Sequence, residues 1–148
     1  MPVLSRTTRS IITAYYTSAA VAGPVGATVL VVDDDESLRL LCRVNLELDG
    51  FRVLEASTAE EARELIGRER IDAILLDVHL SDGDGRDLLL ELGDGRPPVA
   101  LFTGSEPAPG VEGIGDAVIP KPFEIGMLRE TVARLVSQEG TGQVDSGR

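Results

Sequence analysis

Residues 28–37 read TVLVVDDDES, five apolar or β-branched residues running straight into three aspartates, a glutamate and a serine. An apolar run of that length without polar alternation is what a strand covered on both faces requires. Asp35, Glu36 and Ser37 then supply the start of a helix, with acids for the positive end of its dipole and short side chains for its cap. Leu38, Leu41 and Cys42, followed by Leu46 and Leu48, carry the apolar face of that helix as far as Gly50. A buried strand that enters an amphipathic helix through an acidic loop is the opening of a parallel α/β unit.

The alternation repeats along the chain. Residues 51–56, 73–77, 99–102 and 117–119 predict four further strands. Ser57 with Glu60, and Thr58 with Glu61, each fit a capping box for a second helix through Ala62, Leu65 and Ile66. A third helix is expected over 86–92, ended by Gly93, and a last one over 125–136. Between the fourth and fifth strands, residues 104–115 carry two prolines and four glycines, so the fourth helix is expected to be short or irregular. The expected fold is therefore α/β, a five-stranded parallel sheet with helices on both faces.

Composition narrows the function. The chain has 148 residues, 14 basic against 25 acidic, for a formal net charge of −11, and 43% of its residues are hydrophobic. That suits one packed domain and argues against nucleic acid or an anionic membrane surface as partner. The sequence lacks the roughly 18 consecutive apolar residues of a membrane span. Cys42 is the single cysteine and cannot form an internal disulfide, which makes a reducing cytoplasm the expected location. Residues 1–27 contain Arg6 and Arg9, no acid and many small residues. The mildly apolar stretch 11–22 has the outline of a secretory signal, but Thr13, Tyr15, Tyr16 and Thr17 interrupt it, and 1–27 is read as a disordered extension. The folded domain is expected over 28–137, with a disordered tail over 138–148.

Ligands of open parallel sheets bind beyond the carboxyl ends of the strands. The first strand ends in Asp33 and Asp34, the third in Asp77, the fourth in Thr103, and the fifth leads to Lys121. Clustered carboxylates repel one another unless a cation sits among them, and a hard ion such as magnesium takes carboxylate and phosphoryl oxygens alike. An aspartate is a competent nucleophile toward phosphorus, and a hydroxyl and an ammonium suit the charge on a transferring phosphoryl group. Lys121 stands out for a further reason: it is the only lysine beside thirteen arginines, where a narrow donor cannot be exchanged for a planar fork.

With these residues in place, the sequence resembles the response-regulator receiver domains of two-component signalling, single-domain chemotaxis regulators among them. The stretches that carry the resemblance are VLVVDDDES (29–37), ILLDVHLSDGDG (74–85), VALFTG (99–104) and PKPF (120–123). The resemblance implies a flavodoxin-like fold of strand order 2-1-3-4-5. It implies that Asp77 accepts the phosphoryl group and catalyses, with magnesium, its own phosphorylation and dephosphorylation. Asp34 and Asp77 would ligate magnesium directly, with the backbone carbonyl of His79, and Asp33 would act through a metal-bound water. Thr103 would bond the phosphoryl group, Lys121 would pair with it, and the Lys121–Pro122 peptide would be cis. The implied partner is a sensor histidine kinase or a histidine phosphotransfer protein, and the chain would be a monomer or a phosphorylation-dependent dimer. The family pattern is broken at Val118, where an aromatic residue is usual, and at Ser81, where a proline is usual. That departure points to output by phosphoryl shuttling or by rearrangement of 104–118.

The expected function is thus a stand-alone receiver. The alternative is a degenerate receiver that serves as a phosphorylation-independent interaction module, and the presence of all the site residues weighs against it. A haloacid-dehalogenase-like phosphatase would use Asp33 and Asp35 as its first motif but needs an acidic pair at a later strand end, whereas only Glu124, Glu130 and Glu139 follow Lys121 closely.

Overall fold

The TVLVV run forms β1 (Thr28–Val32), buried along its whole length. The computed structural model describes residues 26–104 and 114–146. From β1 the chain passes through α1 (Glu36–Leu48), β2 (Arg52–Ala56), α2 (Ala59–Arg68), β3 (Ala73–Asp77) and a two-residue pair, β4 (His79–Leu80) with β5 (Gly83–Asp84). It continues through α3 (Gly85–Leu92), β6 (Val99–Thr103), β7 (Ala117–Pro120) and α4 (Ile125–Ser146). The five long strands are parallel in the order β2-β1-β3-β6-β7, which is the flavodoxin-like order expected from the sequence.

Successive side chains of a strand leave on opposite faces, and the core divides accordingly. Leu30, Val32, Ile74, Leu76, Val99 and Leu101 pack with Ala59 and Ala62 of α2 and Leu88 and Leu89 of α3. Val29, Val31, Ala73, Leu75, Ala100, Phe102 and Ile119 pack on the other face with Cys42 and Leu46 of α1 and Leu128, Val132 and Leu135 of α4. Each of the valine, leucine, isoleucine and phenylalanine side chains among these, fully buried, stabilises the fold by about 1.5–3 kcal/mol. Burial of these two layers, not helix propensity, holds the helices on the sheet.

The helix ends explain the connections. Asp35 caps α1 by accepting from the amides of Ser37 and Leu38. Asp49, at the other end of α1, is an acid where the helix dipole disfavours one. Its carboxylate, 2% exposed, is held bidentately by Arg129 of α4 at 2.8 Å through each oxygen. Thr58 caps α2 by accepting from the amide of Glu61, whose carboxylate accepts in turn from the amide and hydroxyl of Ser57. Of the two capping boxes read in the sequence, Glu61 therefore serves both, and Glu60 serves neither. Asp82 adds a cap from a distance of 23 residues: its carboxylate accepts from the amides of Ala59 and Glu60.

Three expectations change. Leu41 is 44% exposed, so it does not belong to the core face of α1. The core face runs Leu38, Cys42, Leu46, because residues four apart stack on one side of a helix. The last helix passes Val136 and continues through Gly140 and Gly142 to Ser146, into the stretch read as a disordered tail. No proline interrupts the chain after Pro122, so every residue beyond it can donate its amide to the helix. Residues 79–84, for which no strand is expected, contain an antiparallel pair, His79 with Asp84 and Leu80 with Gly83. The expected short fourth helix and most of the N-terminal extension fall on residues 105–113 and 1–25, outside the described residues.

Candidate functional site

β1 and β3 lie side by side and end level with each other, since Val32 pairs with Leu76. Asp33 and Asp34 therefore leave the sheet next to Asp77. β6 and β7 continue the same rim, with Asp77 opposite Phe102 and Thr103 opposite Pro120. The amide of Lys121 donates to the carbonyl of Thr103 at 2.7 Å, and the Lys121–Pro122 peptide is cis. Asp33, Asp34, Asp77, Thr103 and Lys121 all stand at this one edge, where parallel sheets place their ligands.

The Lys121 ammonium lies 2.8 Å from Asp33 Oδ2 and 3.4 Å from Asp77 Oδ2. It also sits over the Phe102 ring, 5.5 Å from its centre, and Phe102 stacks on Phe123. Asp33 is fully buried and Asp77 nearly so, while Asp34 is exposed. Burial, then the charge of Asp33, raises the pKa of Asp77 above the ordinary carboxylate value. The amide of His79, donating to Asp77 Oδ1 at 3.1 Å, and the charge of Lys121 act in the opposite direction. Burial pulls the Lys121 ammonium down, but its hydrogen bond to Asp33 and the charges of Asp33 and Asp77 outweigh it, and its pKa is raised. One ammonium thus serves two buried acids, and a third acid stands beside them in water.

Carboxylate oxygens of Asp33, Asp34 and Asp77 lie within 4.8 Å of one another. The donors are all hard oxygens with excess negative charge, and the exposed side at Asp34 leaves room for retained waters, which is the donor set magnesium prefers. The residues present therefore fit a magnesium ion. His79 offers its backbone amide to Asp77, and its ring is turned to solvent.

Gly85 is a site residue that the sequence reading passes over. A Cβ at this position would lie 2.1 Å from the Asp77 carbonyl oxygen, closer than any real contact. Its amide donates to the carbonyl of Val78 at 2.7 Å, which holds the start of α3 against the end of β3. The signal available was a glycine opening a helix, where almost any other residue is a better helix former. Cys42, behind the site, has its thiol pushed up to about 12 by burial and by the charge of Asp33, so it is an inert core group. Val118 lies on β7, 38% exposed.

The fold is flavodoxin-like with three carboxylates and an ammonium gathered at one rim, and the comparisons with known proteins carry that to a family. Residues 29–133 match the model of the response regulator receiver domain. The chain belongs to this family. It is 33% identical over 125 residues to the response regulator MprA of Mycolicibacterium vanbaalenii, covering 78% of this chain and 54% of that protein. It is 34% identical over 106 residues to the KDP operon transcriptional regulatory protein KdpE of Escherichia coli, covering 68% of this chain and 47% of that one. The chain therefore spans about half the length of the curated relatives it matches. Among solved structures it resembles a response regulator receiver domain protein, described as CheY-like, from Methanospirillum hungatei. That match has a TM-score of 0.71 and 28% identity, over 78% of this chain and 98% of that one.

Proposed function

We propose that this receiver domain accepts a phosphoryl group on Asp77 from a phosphohistidine, in the cytoplasm, with magnesium held by Asp34, Asp77 and the backbone carbonyl of His79 and, through a bound water, by Asp33. The observation that carries the reading is the convergence of three carboxylates within 4.8 Å on an edge where Lys121 already bonds two of them. In the transfer, a carboxylate oxygen of Asp77 forms the new O–P bond as the donor histidine's N–P bond breaks, and the imidazole leaves with the electron pair. Magnesium, when bound, neutralises the charge of the carboxylates and of the phosphoryl oxygens. Lys121 supplies a positive charge that needs no rearrangement to reach the site, and the Thr103 hydroxyl is a donor for a second phosphoryl oxygen. Hydrolysis of the aspartyl-phosphate by water at the same site returns the free carboxylate.

A sensor kinase or phosphotransfer protein must approach over the rim where α1 begins. Leu40, Leu41 and Val44 of α1 are 44–48% exposed and stand on one side of the helix, away from Cys42 and Leu46. An apolar strip of this kind next to the acidic rim supports a protein, in preference to a small metabolite, as the phosphoryl donor.

Incubation with acetyl phosphate and magnesium, followed by intact-mass analysis, tests the reading. Wild-type chain is expected to gain one phosphoryl group, and the gain is expected to disappear in Asp77→Asn and with chelator. An unmodified wild-type chain would favour the phosphorylation-independent interaction module.

A further inference from the structure

Asp33 has a partner at each of its polar positions. Its amide donates to the Ala56 carbonyl at 3.1 Å, its Oδ1 accepts from the Asp35 amide at 2.9 Å, and its Oδ2 accepts from Lys121. The fourth position, its backbone carbonyl, accepts from Nη1 of Arg39 at 2.7 Å. Arg39 belongs to α1, yet its side chain is only 15% exposed, because it folds back to the strand end instead of reaching into water. Its Nε donates to Glu55 Oε1 at 3.0 Å, and Glu55 Oε2 accepts from Arg43 at 2.6 Å. Glu55 thus anchors Arg39 from β2, the same strand whose Ala56 holds the Asp33 amide.

The Asp33 carbonyl is part of the peptide that joins Asp33 to Asp34. A peptide is planar, so fixing its oxygen also fixes the Asp34 nitrogen and Cα, the point from which the Asp34 side chain starts. The bond from Arg39 is short and charge-assisted, stronger than a neutral one. A partly exposed ion pair such as Arg39 with Glu55 contributes little stability, so orientation is the more substantial effect of this arrangement. We infer that Arg39, anchored by Glu55, is a positioning residue that sets the Asp33–Asp34 peptide so that both carboxylates meet one magnesium ion. The inference rests on the functional reading above.

Positioning and plain electrostatics have opposite signs here. Arg39 puts a positive charge next to an acidic cluster, so if charge alone mattered, its removal would tighten binding of a divalent cation. If orientation governs, its removal weakens binding. Titration calorimetry of magnesium chloride into the full chain, with far-UV circular dichroism as the check on folding, separates the two. Arg39→Met is expected to weaken magnesium binding about tenfold at unchanged helicity, as loss of a group that orients a metal ligand does. Arg39→Lys, which keeps the charge on a compact ammonium but loses the fork that reaches both Glu55 and the Asp33 carbonyl, is expected to fall between Arg39→Met and wild type. Glu55→Ala, which removes the anchor together with its contact to Arg43 and its charge, is expected to weaken binding severalfold. Arg39→Met binding as tightly as wild type, or more tightly, overturns the inference alone. If Arg39→Met does not fold, wild-type affinity in Glu55→Ala overturns it equally. Absence of magnesium binding by the wild-type chain overturns the functional reading and this inference together.

Discussion

Asp77 is harder to ionise in the folded chain than in the unfolded one, through burial first and Asp33 second. Between the ordinary value of 3.8 and its raised folded value, the folded state binds more protons than the unfolded state. Stability therefore falls as pH rises through that window, and at neutral pH the ionised Asp77 is a net burden. Asp77→Asn is expected to melt higher than wild type at pH 7 without magnesium, by about 2–5 °C, which roughly 1 kcal/mol produces in a domain of this size. The difference should shrink as pH falls below the window, where both side chains are neutral. Thermal melts across that range check it, and a lower melting temperature for the variant at pH 7 would refute it. At Gly85 two effects oppose each other. Helix propensity favours alanine by about 1 kcal/mol, but its Cβ would lie 2.1 Å from a backbone oxygen that cannot swing away. Overpacking of this kind costs about 1–3 kcal/mol or more, so Gly85→Ala is expected to destabilise the fold and to slow phosphorylation at Asp77. Denaturant unfolding beside phosphorylation time courses measures both, and a variant more stable than wild type would mean that propensity wins. Asp33, Asp34, Asp77, Thr103 and Lys121 were legible in the sequence because each follows an apolar run directly. Arg39 was not, because it acts on a backbone carbonyl, and Gly85 offered only the weak signal of a glycine opening a helix, since the carbonyl that excludes its Cβ belongs to a residue brought there by folding.

α1 presents apolar residues on two sides, Leu38, Cys42 and Leu46 toward the sheet and Leu40, Leu41 and Val44 toward solvent. With both sets only one or two residues apart, periodicity alone did not say which face the sheet would take, and Leu41 was assigned to the wrong one. The strands were easier, since unbroken runs such as AILLD at 73–77 fit only a position buried on both faces. The cap from Asp82 to α2 was illegible because it joins residues that come together only once β3 and α2 have packed, and the β4–β5 pair, although local, has strands of two residues, too short to show a periodic pattern. If the outer strip of α1 receives a protein phosphodonor, the charged double variant Leu41→Glu, Val44→Glu should be phosphorylated by acetyl phosphate at the wild-type rate. Transfer from a phosphohistidine protein should fall by about tenfold or more, since burying an unpaired carboxylate in an apolar contact costs at least as much as 1.4 kcal/mol. Parallel time courses with the two donors decide it. Equal rates from the protein donor would place the docking surface elsewhere, and loss of both activities would mean that α1 itself had been disturbed.

The whole chain carries a net charge of −11, and at the rim three of its acids, Asp33, Asp34 and Asp77, meet. Two electrostatic effects on stability follow, and they differ in range. Repulsion across the surface is screened by any salt, with a Debye length of about 8–10 Å at moderate ionic strength. Repulsion among three carboxylates within 4.8 Å lies inside that distance and in part under buried groups, so it is relieved mainly by an ion that enters the cluster. Sodium chloride is therefore expected to raise the melting temperature modestly and to the same extent in wild type and in Asp34→Asn. Magnesium chloride at equal ionic strength should raise wild type further, because a ligand that binds only the folded state adds about 2.7 kcal/mol at a hundredfold excess over its Kd. The added stabilisation should be largely absent in Asp34→Asn, which keeps the surface charge almost unchanged but removes the exposed ligand. Helices and strands elsewhere have no reason to distinguish the two salts, so the excess measured with magnesium isolates the rim from the rest of the molecule. Equal stabilisation of wild type by the two salts would mean that the cluster is only part of the acidic surface, and that phosphoryl transfer to Asp77 lacks its metal.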